Sequence, residues 1–329
     1  MKTWQIIFLL LLVAGSIYVI TREAPYKSAS GKIFGTYYNI IYQSNNDLHG
    51  DIKKAMNKVD ASLSTFNKQS TITAINENRD IEPDATFLQV FALAQKISQE
   101  TEGAFDITVA PLVNAWGFGF KKGIPTDSAT IDSLHRSVGY KTVSYTGGRI
   151  VKENPATMLD CSAIAKGFGC DEVARALEAK GVTNYMVEIG GEIVAKGKND
   201  KGKSWAIGIN KPVEDATGEE NGIQEIIRIS NGAMATSGNY RNFRYIDGKK
   251  VAHTIDPRTG YPANHSLLSA TVIAADCATA DALATAFMVM GVDEALAYCE
   301  RNSIDALFIY SDSTNNLQVK ETTSFSKYK

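Results

Sequence analysis

Apolar and polar residues change their spacing several times along the chain, and each change marks an element. From Trp4 to Ile20 no charged residue occurs, which predicts a signal-peptide core or a short membrane anchor outside the globular fold. A polar stretch of about Thr21 to Ser30 reads as linker. Gly31 to Gln43, with Ile33, Tyr37, Tyr38, Ile40 and Ile41, is aromatic and β-branched and predicts a strand opening the folded domain at residue 31. Asp47 to Leu63 and Asp84 to Gln99 carry apolar residues at helical spacing, and Asp84 is placed as the N-cap of the second.

Short β-rich runs broken by Gly, Asn and Asp follow from Tyr140 to Leu159 and from Tyr185 to Ile255, with a helix from about Ala165 to Ala179 between them. The C-terminal part reads strand, helix, helix, strand. With neither strict βαβ alternation nor a fixed repeat, the pattern predicts one α+β domain, residues 31–329, around a largely antiparallel sheet.

Composition narrows the class. The chain has 329 residues, 34 basic and 36 acidic, for a net charge of −2 with no long single-sign block. That excludes a nucleic-acid footprint. At 44% hydrophobic and 21% charged with eight prolines, it falls outside the disordered and collagenous classes. The cysteines are Cys161, Cys170, Cys277 and Cys299. None forms a C-x2-C pair, which argues against structural zinc and leaves buried free thiols or, in an exported chain, a disulfide such as Cys161 with Cys170. Leu12-Val13-Ala14-Gly15 would suit a lipoprotein cleavage site, but Ser16 follows, so lipidation there is excluded. An uncleaved anchor is the favoured reading, with Arg22 and Lys27 just beyond it.

Candidate chemistry lies where the periodicity breaks. Gly103 to Leu112, running on to Trp116-Gly117-Phe118-Gly119, crowds aromatics and small residues around Asp106; a loop plugged into the core is the plainer account. Asp160 to Gly169 places small residues and Lys166 at a helix opening, where free amides and a point charge suit a pyrophosphate. It matches neither the Walker nor the G-x-G-x-x-G pattern, and a solvated lysine would explain it equally well. In Ala280 to Phe287, Asp281 and Thr285 are four apart and share a helix face, a partial site for a hard cation. The plain alternative is a solvated Asp and a Thr bonded back into its helix. Met234 to Tyr240 and His253 to Pro262 offer hydroxyls, a turn and an imidazole able to act as general base, although a lone histidine is more often structural.

In order and wording these segments resemble the ApbE family, the FAD:protein FMN transferases. The resemblance spans about Lys32 to Tyr310. It rests on Gly35-Thr36-Tyr37-Tyr38, Ser64 to Asn67, Ala104-Phe105-Asp106 with Trp116 to Gly119, and Asp160 to Gly167. Glu188 to Glu192, Thr236 to Tyr240, His253 to Pro262 and Ala280 to Thr285 complete it. The resemblance implies a fold related to the tunnelling fold. It implies FAD held in a cleft, with Mg2+ on the side chains of Asp281 and Thr285 and the backbone carbonyl of Ala163. By the same analogy Phe66, Ala104, Phe105, Asp106, Asp160, Lys166, Thr236, Ser237, Gly238 and Ile255 are FAD contacts. Phe34, where many relatives have Met, keeps an apolar flavin neighbour.

The implied reaction moves FMN from FAD to a Ser or Thr hydroxyl of an acceptor protein and releases AMP. His253 is the implied base, and Lys166 adds positive charge at the pyrophosphate. The implied acceptors are flavin-carrying subunits of ion-pumping or electron-transport complexes, met on the periplasmic side of an inner membrane that the N-terminal segment engages. Two other readings use the same residues: a Mg2+-dependent FAD pyrophosphatase giving FMN and AMP, and an exported flavin-binding protein without chemistry.

Overall fold

Tyr26–Ile33 (β1) and Thr36–Gln43 (β2) form an antiparallel hairpin, so regular structure begins inside the stretch that reads as linker. β1 is an edge strand with only Ala29 fully buried, and an edge strand that buries so little carries no apolar signature. The computed structural model describes residues 3–5, 7, 23–120, 127–212, 222–239, 243–246 and 249–329. The apolar stretch expected to be a signal core or anchor therefore lies almost wholly outside the described residues. Among those described, no helix is long and apolar enough to cross a membrane.

The strands that follow are Val143–Thr146 (β3), Arg149–Lys152 (β4), Tyr185–Ile189 (β5), Glu192–Lys196 (β6), Trp205–Asn210 (β7) and Ile223–Ile229 (β8). After them come Asn231–Gly238 (β9), Phe243–Ile246 (β10), Lys249–Ala252 (β11), Leu267–Ala274 (β12), Asp305–Ser311 (β13) and Leu317–Glu321 (β14). Eight of them make one sheet in the order β1-β2-β5-β6-β9-β12-β13-β14, and every neighbour in it is antiparallel. The expected antiparallel α+β core is present. The pairs β3–β4, β7–β8 and β10–β11 stand as separate hairpins.

From residue 23 onwards the α-helices among the described residues are His49–Leu63 (α1), Thr71–Asn76 (α2), Ala85–Glu100 (α3), Ala110–Ala115 (α4), Ser128–His135 (α5), Ala165–Glu178 (α6), Cys277–Met290 (α7) and Val292–Asn302 (α8). Asp84 caps α3 as its position suggested, accepting the Phe87 amide at 3.0 Å. The period of two in the strands divides the core between the two faces of the sheet. In β13, Ala306 and Phe308 face the cluster built with α3 and α7, while Leu307 and Ile309 face the cluster closed by β7 and β8. β2 and β5 pack on α1 and α6 in a third cluster. α7 is buried nearly all round, as expected of a helix lying between the sheet and other helices. All four cysteines are buried free thiols.

Candidate active site

The site is assembled where α6 meets α7. Asp276 caps α7 by accepting the Thr279 amide at 2.8 Å. Asp171, on α6, reaches the same helix start and accepts the amides of Cys277 and Ala278 at 2.9 Å each. The helices touch so closely at Gly167 that a Cβ there would lie 2.6 Å from the carbonyl carbon of Cys277. One turn into α7, Asp281 is buried, and its Oδ2 accepts the Gly167 amide at 3.0 Å. Gly167 is in the first turn of α6, where an amide has no partner within its own helix, and Asp281 supplies one. Ala163, just before α6, joins the cavity wall. Thr285 follows one turn after Asp281, its hydroxyl 3.2 Å from that of Ser237 on β9. Thr236 bonds across the sheet to the Thr271 hydroxyl at 2.9 Å, and Gly238 ends the strand beside them.

Lys166 lies in the first turn of α6. Its ammonium is 3.3 Å from Glu192 Oε1 and 3.6 Å from Asp281 Oδ1. Burial works against its charge, but the carboxylates of Asp281 and Glu192 outweigh it and raise the lysine pKa. Glu192 reaches this place through the β5–β6 turn, where Gly190 and Gly191 have φ of 67° and 104°. The turn is tight: a Cβ on Gly190 would stand 2.8 Å from Thr36 and 3.3 Å from Lys166. Burial raises the Glu192 carboxyl pKa, while the Lys166 ammonium draws it back towards the charged form.

The other wall is the loop before α4. Ala104 and Phe105 are buried there. Asp106 Oδ1 accepts both the amide and the hydroxyl of Thr108 at 2.7 Å, and Oδ2 accepts the Tyr140 amide at 2.7 Å. Asp106 thus ties its own loop to the segment before β3, and burial raises its pKa despite those bonds. Asp160 accepts the Ser162 amide at 2.8 Å while its own amide donates to Ile107; burial raises its carboxyl too. His253 follows β11 with its ring edge-on to Phe118, centroids 6.3 Å apart. Ile255 is buried in an isolated bridge to Pro262. Phe66 is 78% exposed and meets Phe120 edge-on at 6.5 Å.

The cation, FAD and base candidates that the sequence offered line one cavity of about 410 Å³, with one exception; its volume is within the size range of small-molecule sites. Phe34 is the exception. It forms the β1–β2 turn at φ 51°, with its ring against Gly169 of α6. Residues the sequence reading gave no role also line the wall, Glu192, Ser162, Phe118 and Phe120 among them. For Glu192 the signal was its place directly after the Gly190-Gly191 turn.

The donor set is informative about a metal. A carboxylate, a hydroxyl and a backbone carbonyl are hard oxygen ligands, which fit Mg2+ completed by water and phosphate oxygens and do not fit a thiophilic ion. No group of three or more His, Cys, Asp or Glu suited to a metal occurs among the described residues, so a cation here would depend on such neutral oxygens.

Comparison with known proteins identifies the family. The model of the ApbE family matches residues 34–308. The FAD:protein FMN transferase of Haemophilus influenzae is 39% identical over 333 residues, covering 96% of this chain and 95% of its own. That of Vibrio cholerae is 38% identical over 322 residues, covering 94% of each. The solved structure of the flavin transferase ApbE from Vibrio cholerae superposes with a TM-score of 0.84 at 37% identity, covering 93% of this chain and all of that one.

Proposed function

The chain belongs to the ApbE family, and on that premise we propose that it acts as an FAD:protein FMN transferase whose reaction centre is the α6–α7 end of the cavity. It is an enzyme that takes FMN from FAD and attaches it to an acceptor protein. The observation that carries the placement is the Gly167 amide bonded to Asp281 at 3.0 Å. This contact joins α6, which carries Lys166, to α7, which carries Asp281 and Thr285, in a cavity that Ala163 and His253 also line.

Asp281, Thr285 and the Ala163 carbonyl would hold Mg2+, which when bound neutralises the FAD pyrophosphate and stabilises the leaving phosphate. Lys166 presents its ammonium to the same pyrophosphate from the first turn of α6, the helix end whose dipole favours anions. His253 takes the proton from a Ser or Thr hydroxyl of the acceptor as that oxygen attacks the FMN phosphorus. The bond from that phosphorus to the bridging oxygen breaks, and AMP departs with the bridging oxygen. Phe66, Phe118 and Phe120 supply ring faces and edges along the remaining length of the dinucleotide. The apolar N-terminal stretch would hold the enzyme at the outer face of an inner membrane, where flavin-carrying subunits of ion-pumping or electron-transport complexes present the hydroxyl.

The test is mass spectrometry of a flavin-acceptor domain incubated with the protein, FAD and Mg2+, with AMP followed in parallel. A Mg2+-dependent FMN adduct on Ser or Thr is expected. Equal AMP and free FMN with an unmodified acceptor would instead mark a pyrophosphatase, and intact bound FAD would mark a carrier.

A further inference from the structure

Glu192 has a place in the cavity that the reaction as described does not use. Its side chain is only 4% exposed, yet it lines the cavity wall. Oε1 stands 3.3 Å from the Lys166 ammonium, while Oε2 is buried without a hydrogen-bond partner. Leaving a carboxylate oxygen buried and unpaired is costly, and here the cost falls beside Lys166, the one lysine that lines the cavity among the described residues. Lys166 has a second carboxylate neighbour, Asp281 Oδ1 at 3.6 Å. Asp281 also holds the Gly167 amide and, on the reading above, is a cation ligand. An ammonium has three N–H donors. Once Asp281 is committed elsewhere, Glu192 alone among these two carboxylates has spare acceptor capacity for them.

We propose that Glu192 is a positioning residue of the transfer reaction, a carboxylate tether that keeps the Lys166 ammonium at the pyrophosphate end of the cavity when Asp281 is occupied. The inference rests on the FAD-transferase reading. Oε1 makes the tether visible in the structure, and Oε2 supplies the acceptor that takes over from Asp281. Fixing a flexible four-carbon stem in advance removes an ordering cost from substrate binding. The Gly190-Gly191 turn, with no room for a Cβ on Gly190 against Thr36, sets the tether rigidly against the β1–β2 hairpin.

The experiment is a double-mutant cycle with Glu192→Gln and Lys166→Met. FAD affinity is read by flavin fluorescence with Mg2+ and no acceptor, and kcat and KM are then measured with acceptor added. Glu192→Gln is expected to weaken FAD binding about tenfold, the loss of one charge-assisted contact, and to raise KM more than it lowers kcat. In the Lys166→Met background it should add nothing, because the two residues act as one unit. Glu192→Asp, which keeps the charge on a shorter arm, should recover part of the affinity and serves as the readout if the Gln protein does not fold. Wild-type affinity in Glu192→Gln, a lowered melting temperature with unchanged affinity, or effects that multiply in the double variant would each overturn the tether. Failure of the wild-type protein to bind FAD in the same titration would overturn the transferase reading itself, and the tether with it.

Discussion

The carboxylate of Asp281 accepts the backbone amide of Gly167 at 3.0 Å, so the proposed cation ligand on α7 is fixed by the main chain of α6. The contact exists because residue 167 has no side chain. A Cβ there would press on the Cys277 carbonyl and stand 2.9 Å from the Ala278 amide. Those atoms are backbone and cannot turn aside as a side chain would.

Gly167→Ala is therefore expected to push the helices apart. Overpacking of this kind typically costs about 1–3 kcal/mol, and here it would also pull Asp281 away from Ala163 and Lys166. Thermal melting should show a drop of several degrees, accompanied by loss of FMN transfer. A Gly167→Ala protein that melts and turns over like the wild type would show that the close approach of α6 and α7 is not what sets the site.

Asp281→Asn keeps the shape of the side chain and an oxygen for the Gly167 amide, but removes the charge a hard cation needs. In the wild type, Mg2+ is expected to raise the melting temperature in proportion to its occupancy. In Asp281→Asn that shift should vanish and transfer should fall by at least about 100-fold, as when one electrostatic stabiliser of a transition state is lost. Retention of the Mg2+-induced shift in the variant would place the cation elsewhere.

Much of this site was legible in the sequence, and what was not has physical causes. Asp281 and Thr285 stand four apart in a largely apolar helix, so their shared face could be read from spacing, while their role as ligands came from the family resemblance. Asp84 declared its helix start in the same way. The β1 strand was silent because, at the sheet edge, it buries little beyond Ala29. Its turn was hidden because Phe34 takes φ 51° before Gly35, where a hairpin more often shows Asn-Gly. Phe34 was expected beside the flavin, and its ring instead lies against Gly169, since the turn directs it onto α6. Glu192 drew no role because its partner Lys166 is distant in sequence, and only the pairing of β5 with β6 brings it to the cavity.

His253 lines the cavity beside the Phe118 ring and is the base proposed above for the acceptor hydroxyl. His253→Ala should leave FAD affinity intact, because the pyrophosphate end is held by residues of α6 and α7. Transfer to the acceptor should slow by about 10²–10⁴-fold, the usual worth of a positioned general base. Binding by flavin fluorescence and transfer by adduct mass spectrometry separate the two effects. Full-rate transfer by the variant would remove His253 from the chemistry.

Asp171 gives the fold a pH dependence with a definite sign. Burial raises its carboxyl from 3.8 to about 6, although the amides of Cys277 and Ala278 favour its charged form. A folded-state pKa above the unfolded value means that the folded protein holds the proton more tightly. The group's contribution to stability is therefore complete below about pH 4 and is lost as the pH rises through about 6. The displacement corresponds to about 3 kcal/mol at most. Asp171→Asn cannot ionise, so chemical denaturation of variant and wild type at several pH values between about 4 and 7 should give a stability difference that changes with pH. The variant should fare relatively better towards neutrality, offset by a constant loss from the weaker cap on α7. A difference independent of pH over that range would mean that the α7 amides hold Asp171 ionised throughout, with the helix start outweighing burial.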